Sequence, residues 1–356
     1  MKKIPVGILG ATGMVGQQYL QLLSNHPWFE IAFLASSEQS AGKTYADAMQ
    51  GRWHHNPLQE KLGKLQVHSI GDIEHCSNSC RFIFSAVTSN VAKIYEEKYA
   101  AAGLPVISNA SYHRHTSDVP LLIPEINAEH LKIIPHQRKN RHWDKGFIVV
   151  KPNCSIQSYM IPLVCLHKKF RVKKILATTM QAVSGAGYPG VSSMDIHDNI
   201  IPYINGEEEK SEREPLKIWG SIQENKIVDA HDISLSVHCN RVPVLDGHMA
   251  CVSVEFDNKP SLEDILESWH SFESLPQQLK LPSAPAQVIV YRSEEDRPQP
   301  RLDRLAGAGM SITVGRLRNC PLFHYRFAAL SHNTIRGAAG GGILNAELLY
   351  KQGYIT

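Results

Sequence analysis

The hydrophobic pattern of the first 45 residues changes period twice. KIPVGIL is a compact apolar run of strand length, and after GATGMVG the residues Met14, Val15, Tyr19, Leu22 and Leu23 recur on one side of a helix. SNHP closes that helix, and FEIAFLAS is a second run of strand character. The predicted unit is strand, turn, helix, strand.

CRFIFSAV, a helix over 90–102, LPVISNA, LLIPEIN and GFIVV continue the alternation, which is the rhythm of a doubly wound parallel sheet. Past Cys154 the texture changes. KKILATTMQAVS, ISLSVHCNRVPV, HMACVSVEF, AQVIVYR, MSITVGRLR and LFHYRFAAL alternate with period two and have few helices between them. They predict a mostly antiparallel sheet with one apolar face, covered in part by a helix over SLEDILESWHSF. The stretch NTIRGAAGGGILNAELLY is helical in spacing despite Gly340, Gly341 and Gly342. Each glycine costs ~1 kcal/mol against alanine in a helix interior, so close approach by a backbone or a ligand is expected there. This helix is predicted to return to the first domain.

The first turn carries chemistry. Gly10, Gly13 and Gly16 recur every third residue at the strand-to-helix junction, a loose form of the dinucleotide fingerprint. Glycine there lets backbone N–H groups approach a pyrophosphate, although the same residues also serve tight packing of helix on strand.

A second junction, VVKPNCSIQSY, places Cys154 between the apolar run GFIVV and a stretch of helical spacing through Ile156, Met160, Ile161 and Val164. A thiol at a helix N-terminus is expected to favour the thiolate, the form that attacks carbonyls. A small buried core residue is the other reading of a free cysteine. Gln181 lies in TTMQAVSGAGYPG, and Arg241 and His248 lie in NRVPVLDGH. A histidine suits the proton traffic of a thiol nucleophile, and an arginine seven residues before it adds a carboxylate clamp if VPVLDG is a short connection.

Composition narrows the class. A chain of 356 residues suits two domains, and 43% hydrophobic with 20% charged residues describes a soluble globular protein. The formal net charge of +3 gives a nucleic-acid partner no general support, and HQRKNRH, the densest basic run, reads as a solvated loop. No apolar run approaches the ~18 residues of a membrane span, and MKKIPVGILG enters its first strand with no signal-peptide pattern. Seven scattered cysteines suggest a reducing compartment, and Cys76 with Cys80 lacks a partner pair for zinc.

In order along the chain, GATGMVG, SNASYHR, PNCS, QAVSGAGYPG, GEEEK, NRVPVLDGH and HNTIRGAAGG resemble the aspartate-β-semialdehyde dehydrogenase family, in its archaeal and fungal type. The resemblance implies an α/β protein: a Rossmann-type dinucleotide-binding domain (1–152 and 334–356) and an α+β catalytic and dimerisation domain (153–333). It implies reduction of L-aspartyl-4-phosphate by NADPH through a thioester on Cys154, with His248 as acid/base and Gln181 orienting the acyl group. Arg241 is expected at the substrate carboxylate and Glu207, or a neighbour in GEEEK, at the ammonium. Lys210, Arg114 and Asn153 are expected at the phosphate. Gly10, Thr12, Gly13, Met14, Val15, Ser85, Gly185 and Asn333 are expected to touch the cofactor.

NADP is expected over NAD because the second strand ends Ala35-Ser36-Ser37 with no carboxylate for a ribose 2′-hydroxyl. Ser36, Ser37 and Lys43 offer hydroxyls and a cation to a 2′-phosphate, while Gln39 stands where relatives often have arginine, so the preference is expected to be relaxed. A cytoplasmic homodimer or homotetramer is expected, without nucleic-acid, membrane or metal partners. Malonyl-CoA reductase shares the scaffold, N-acetylglutamyl-phosphate reductase is a more distant rival, and a dinucleotide-sensing protein without turnover is the non-enzymatic alternative.

Overall fold

The computed structural model describes residues 2–55 and 57–356. Its first sheet contains β1 (Ile4–Leu9), β2 (Phe29–Ser36), β3 (Val67–Ser69), β4 (Phe82–Ser85), β5 (Pro105–Ser108) and β6 (Phe147–Val150). All five pairings are parallel, in the order β3-β2-β1-β4-β5-β6. β4, β5 and β6 are buried throughout, as parallel strands covered on both faces must be. The glycine turn after β1 packs tightly against the loop after β4. Gly10 has φ +75°, and a Cβ on it would stand 2.6 Å from the Ala86 carbonyl oxygen.

The second sheet contains β7 (Val172–Gln181), β10 (Ser234–Arg241), β11 (His248–Phe256), β12 (Ile289–Arg292), β13 (Ile312–Asn319) and β14 (Tyr325–Ser331). β8 (Ser221–Gln223) and β9 (Lys226–Val228) form a separate small hairpin. The large sheet runs β10-β7-β11-β14-β13-β12, with antiparallel pairings inside and a parallel pair at each edge. The helix Gln157–Phe170 joins the two sheets and buries its first ten residues, from Gln157 to Leu166. Pro162 inside it presents a carbonyl that accepts the indole N–H of Trp269 at 2.9 Å, from the helix Leu262–His270. That outer helix starts with a capping box between Ser261 and Asp264.

Two expectations about elements fail. LLIPEIN is no strand: Leu121 makes one bridge to Val150, and Pro124 then opens the short helix Pro124–Asn127, where a proline without N–H is tolerated. HQRKNRH is not a solvated loop but most of it lies in the helix Ile134–Arg141. Its two arginines are held, Arg141 by both Asp118 and Glu97 and Arg138 over the Phe147 ring.

The glycine-rich segment forms a π-helical turn, Ile335–Ala339, followed by the α-helix Gly340–Lys351. It packs on the first sheet and its helices. Glu347 meets the His26 ring at 2.8 Å, and a Cβ on Gly342 would overlap the Tyr19 hydroxyl. Gly342→Ala should therefore lower thermal stability, because an overlap costing about 1–3 kcal/mol outweighs the ~1 kcal/mol helix gain. In a Tyr19→Phe background the same substitution should cost less, because the hydroxyl overlap is gone and the nearest ring carbon stands 3.0 Å away, and a thermal-denaturation double-mutant cycle reads the difference.

Candidate active site

Three of the singled-out residues share one rung of the second sheet. Arg241 of β10 pairs with Gln181 of β7, and the β7–β11 register that sets Met180 opposite Met249 brings His248 beside Gln181. VPVLDG connects β10 to β11 across the end of β7, so Arg241 and His248 lie on either side of Gln181. Cys154 comes from the other sheet, in the turn between β6 and the helix Gln157–Phe170. Its Sγ lies 3.4 Å from His248 Nε2.

The histidine is fully buried, and its Nδ1 accepts the Ala182 backbone N–H at 3.1 Å. A nitrogen that accepts this bond carries no proton, so the neutral ring holds its hydrogen on Nε2, directed at the sulfur. Burial pushes the His248 pKa down to about 3, helped by Arg241 and His332.

Cys154 departs from expectation. Burial, and then the Glu207 carboxylate, push its thiol up to about 11 against the opposing pull of Lys151, Arg114 and Arg241. The helix cap is Ile156, two residues on, and desolvation outweighs whatever the helix end contributes. Cys154 and His248 therefore rest as a neutral thiol and a neutral imidazole.

Glu207 gathers the polar groups. One carboxylate oxygen accepts from Asn153 Nδ2 at 2.8 Å and Gln181 Nε2 at 3.3 Å, and the other lies 3.2 Å from Lys210 Nζ. Successive residues of the helix Glu207–Ile218 point ~100° apart, which separates the three glutamates. Glu208 accepts the Cys239 N–H instead, and Glu209 is exposed. Arg114 donates to Glu214 at 2.8 Å and to the Asn109 carbonyl at 2.9 Å, and Glu214 also accepts the Asn153 N–H at 2.6 Å. Arg241 donates to the Ala182 carbonyl at 2.7 Å. Gly185 packs over this group, since a Cβ on it would stand 2.9 Å from Arg241 Nη1 and 3.0 Å from the His248 ring.

A cavity of about 360 Å³ is lined by Met14, Val15, Arg114, Asn153, Cys154, Gly185, Glu207, Lys210 and Asn333, among others, while His248, Gln181 and Arg241 are buried behind Cys154, Glu207 and Gly185. Asn333 also fixes the cavity wall, donating to Ser184 Oγ and accepting the Gly247 N–H, each at 2.8 Å. Gly10, Thr12, Gly13, Ser36 and Ser37 continue from it along the ends of β1 and β2, with the Thr12 and Ser36 hydroxyls 2.6 Å apart. Gly13 caps the helix Met14–Leu23 with no side chain on the first N–H groups, which leaves them for an outside acceptor. Two residues stand apart. Ser85 is wholly buried in β4 and outside the lining of this cavity, while exposed Lys43 lies beyond Ser40 at the start of the bridge from Thr44 to Gln66.

The sequence reading passed over Lys151 and Glu214. Lys151 is 2% exposed, its ammonium donates to the Pro152 carbonyl, and burial lowers its pKa to about 7. A cation three residues before the cysteine, closing an apolar strand, was the visible signal. Glu214 lies seven residues after Glu207, two turns along the same helix.

At neutral pH, iodoacetamide should modify Cys320 before Cys154. Cys320 is slightly buried, yet the Phe323 and Leu322 N–H groups hold its thiol below the usual range. Labelling of Cys154 should accelerate about tenfold per pH unit from pH 7 to 9 with no histidine shoulder. A plateau below pH 7 would instead reveal a thiolate–imidazolium pair. Lys151→Met should slow the labelling most below pH 7, where the ammonium is charged.

Comparison with known proteins places the whole chain. Residues 5–134 match the semialdehyde dehydrogenase NAD-binding domain, and residues 163–336 match the semialdehyde dehydrogenase dimerisation domain. The chain is 49% identical over 347 residues to the aspartate-semialdehyde dehydrogenase of Archaeoglobus fulgidus, covering 98% of each. It is 44% identical over 358 residues to that of Aspergillus fumigatus, again covering 98% of each. The Candida albicans aspartate-semialdehyde dehydrogenase, solved with NADP, superposes with a TM-score of 0.91 at 41% identity, over 99% of this chain and 100% of that one.

Proposed function

The chain belongs to the aspartate-semialdehyde dehydrogenase family, and on that premise we infer that its cavity carries out the NADPH-dependent reduction of L-aspartyl-4-phosphate to aspartate 4-semialdehyde and phosphate. The observation that carries the reading is the 3.4 Å contact between Cys154 Sγ and His248 Nε2 at the wall of a cavity that also holds Glu207, Lys210 and Arg114.

The charges suit that substrate. Glu207 meets the α-ammonium, the Arg241 fork meets the α-carboxylate, and Lys210, Arg114 and Asn153 surround the phosphoryl group. Attack of the Cys154 sulfur on the acyl carbon expels phosphate, and the thiol proton leaves on it, which balances the first step. The His248 Nε2–H stabilises the sulfur while it carries negative charge, and Gln181 orients the acyl group. NADPH, when bound along the glycine turn, supplies the hydride that reduces the thioester. The resulting thiohemiacetal oxyanion collapses to the aldehyde and leaves the Cys154 thiolate against the His248 N–H, and a proton from solvent water, the one the reduction consumes overall, restores the thiol.

Malonyl-CoA suits the cavity less well, because it has no ammonium for Glu207. Gly10, Thr12, Gly13, Met14, Val15, Ser36 and Ser37 hold the cofactor, and Asn333 and Gly185 shape the wall beside it. The domains divide as 1–152 with 334–356, and 153–333. Tyr203, Met194 and Leu245, apolar and exposed by 62%, 88% and 65%, supply surface for a homodimer or homotetramer. No helix among the described residues is long and apolar enough to cross a membrane, and we place the enzyme in the cytoplasm.

Purified protein should reduce NADP with aspartate semialdehyde only when phosphate is present. Robust oxidation of NADPH by malonyl-CoA without that activity would overturn the reading. His248→Ala should lower kcat by roughly 10²–10⁴ with little change in KM. Arg241→Lys keeps the charge but loses the fork and should mainly raise KM for the semialdehyde.

A further inference from the structure

A second group of chemically capable side chains lies at the outer edge of the first sheet. His68 is in β3, Asp72 caps the helix Ile73–Ser79, and His75 is in that helix's first turn. One donor atom from each lies within 4.8 Å of the other two. His68 Nδ1 and Asp72 Oδ2 are 3.3 Å apart. A tetrahedral zinc ion with bonds of ~2.0–2.1 Å sets neighbouring donors about 3.3 Å from each other, so two of the three positions already have the spacing of ligands.

The surroundings favour a cation. Asp72 makes no side-chain hydrogen bond to the helix it caps, so its carboxylate is not committed to that usual duty. Glu74, in the same first turn, and Glu38, bonded to the hydroxyl of Ser69, add negative charge nearby. Phe33 stacks on the His68 ring at 4.7 Å and lies 5.7 Å from the His75 ring, and the two imidazoles are 4.4 Å apart. An aromatic floor under two adjacent imidazoles limits their rotation and lowers the entropy lost when both bind one ion. His75 is exposed and free to close the remaining gap.

We propose that His68, Asp72 and His75 form a binding site for a zinc-class divalent ion, with water in the fourth position, separate from the cavity at Cys154. Two imidazoles and one carboxylate select Zn²⁺ and its transition-metal neighbours over Mg²⁺ and Ca²⁺, which require mostly oxygen ligands. The ion joins β3 to the following helix across the turn at 70–72. Ser69, in that strand, pairs with Ser36 and bonds Glu38, so the bound ion braces the end of β2 as well.

The test uses the full chain carrying Cys154→Ser, which removes the thiol that would compete for metal. Titration with Co²⁺ should give one saturable equivalent with the visible absorption of a four-coordinate nitrogen and oxygen site, and Zn²⁺ should displace it. His68→Ala with His75→Ala should weaken binding by at least about 100-fold and abolish the absorption, and Asp72→Asn should weaken it about tenfold. His75→Ala alone, at an exposed position, should leave the metal-free unfolding temperature unchanged and still weaken binding. With Cys154 restored, the double variant should keep the parent's turnover in metal-free buffer. Unaltered stoichiometry and affinity in the double variant, or the lack of a saturable spectrum in the parent, would overturn the assignment.

Discussion

Close approach without side chains is the constraint on which this structure depends. A Cβ on Gly337 would come 2.8 Å from the Cβ of Cys154, and one on Gly341 would come 2.6 Å from Lys151 Cε. Gly342 presses on the Tyr19 hydroxyl in the helix that follows the glycine turn. One small-residue face thus touches the nucleophile, the buried lysine beside it and the dinucleotide-facing helix. Arg336, just before Gly337, is held by a buried two-pronged pair with Glu125 at 2.6 and 2.7 Å, which anchors that face against the first sheet. The ~1 kcal/mol that each helical glycine loses is offset by bringing these parts together.

Charge balance follows from that packing. Excluding water raises the Cys154 thiol and lowers Lys151 and His248, each toward its neutral form. Both carboxylates are matched, Glu214 with Arg114 and Glu207 with Lys210, while Arg241 donates to the Ala182 carbonyl. A substrate carrying both an ammonium and a phosphoryl dianion can exchange into those pairs without leaving an ion unpartnered. Specificity and low resting reactivity thereby share one cause, the burial of these groups against one another.

The legible parts of the sequence were those set by local pattern. Alternating runs located nearly every long strand, and the order of motifs located Cys154, Gln181, Arg241 and His248, which the fold brings together. The illegible parts depended on distant partners. HQRKNRH reads as a loop until Asp118, Glu97 and Phe147 are seen beneath it. Glu207 could not be told from Glu208 or Glu209 without the helix phase. The thiol's upward shift needs Glu207 and burial, neither visible around PNCS. β3 has only three residues, too few for a period, which hid the His68, Asp72 and His75 cluster although its spacing stands in the text of the chain.

The returning segment also sets a timetable. Gly337 to Gly342 are made after every strand of both sheets, and the stretch from Cys154 onward to them takes roughly 10–40 s to synthesise at ordinary rates. Until then the thiol, Lys151 and Tyr19 lack the backbone that packs against them. During that interval Cys154 is an ordinary hydrated cysteine of a growing chain, open to oxidants and to mispairing. The nucleophile is thus shielded late, by a segment far downstream of the residues beside it.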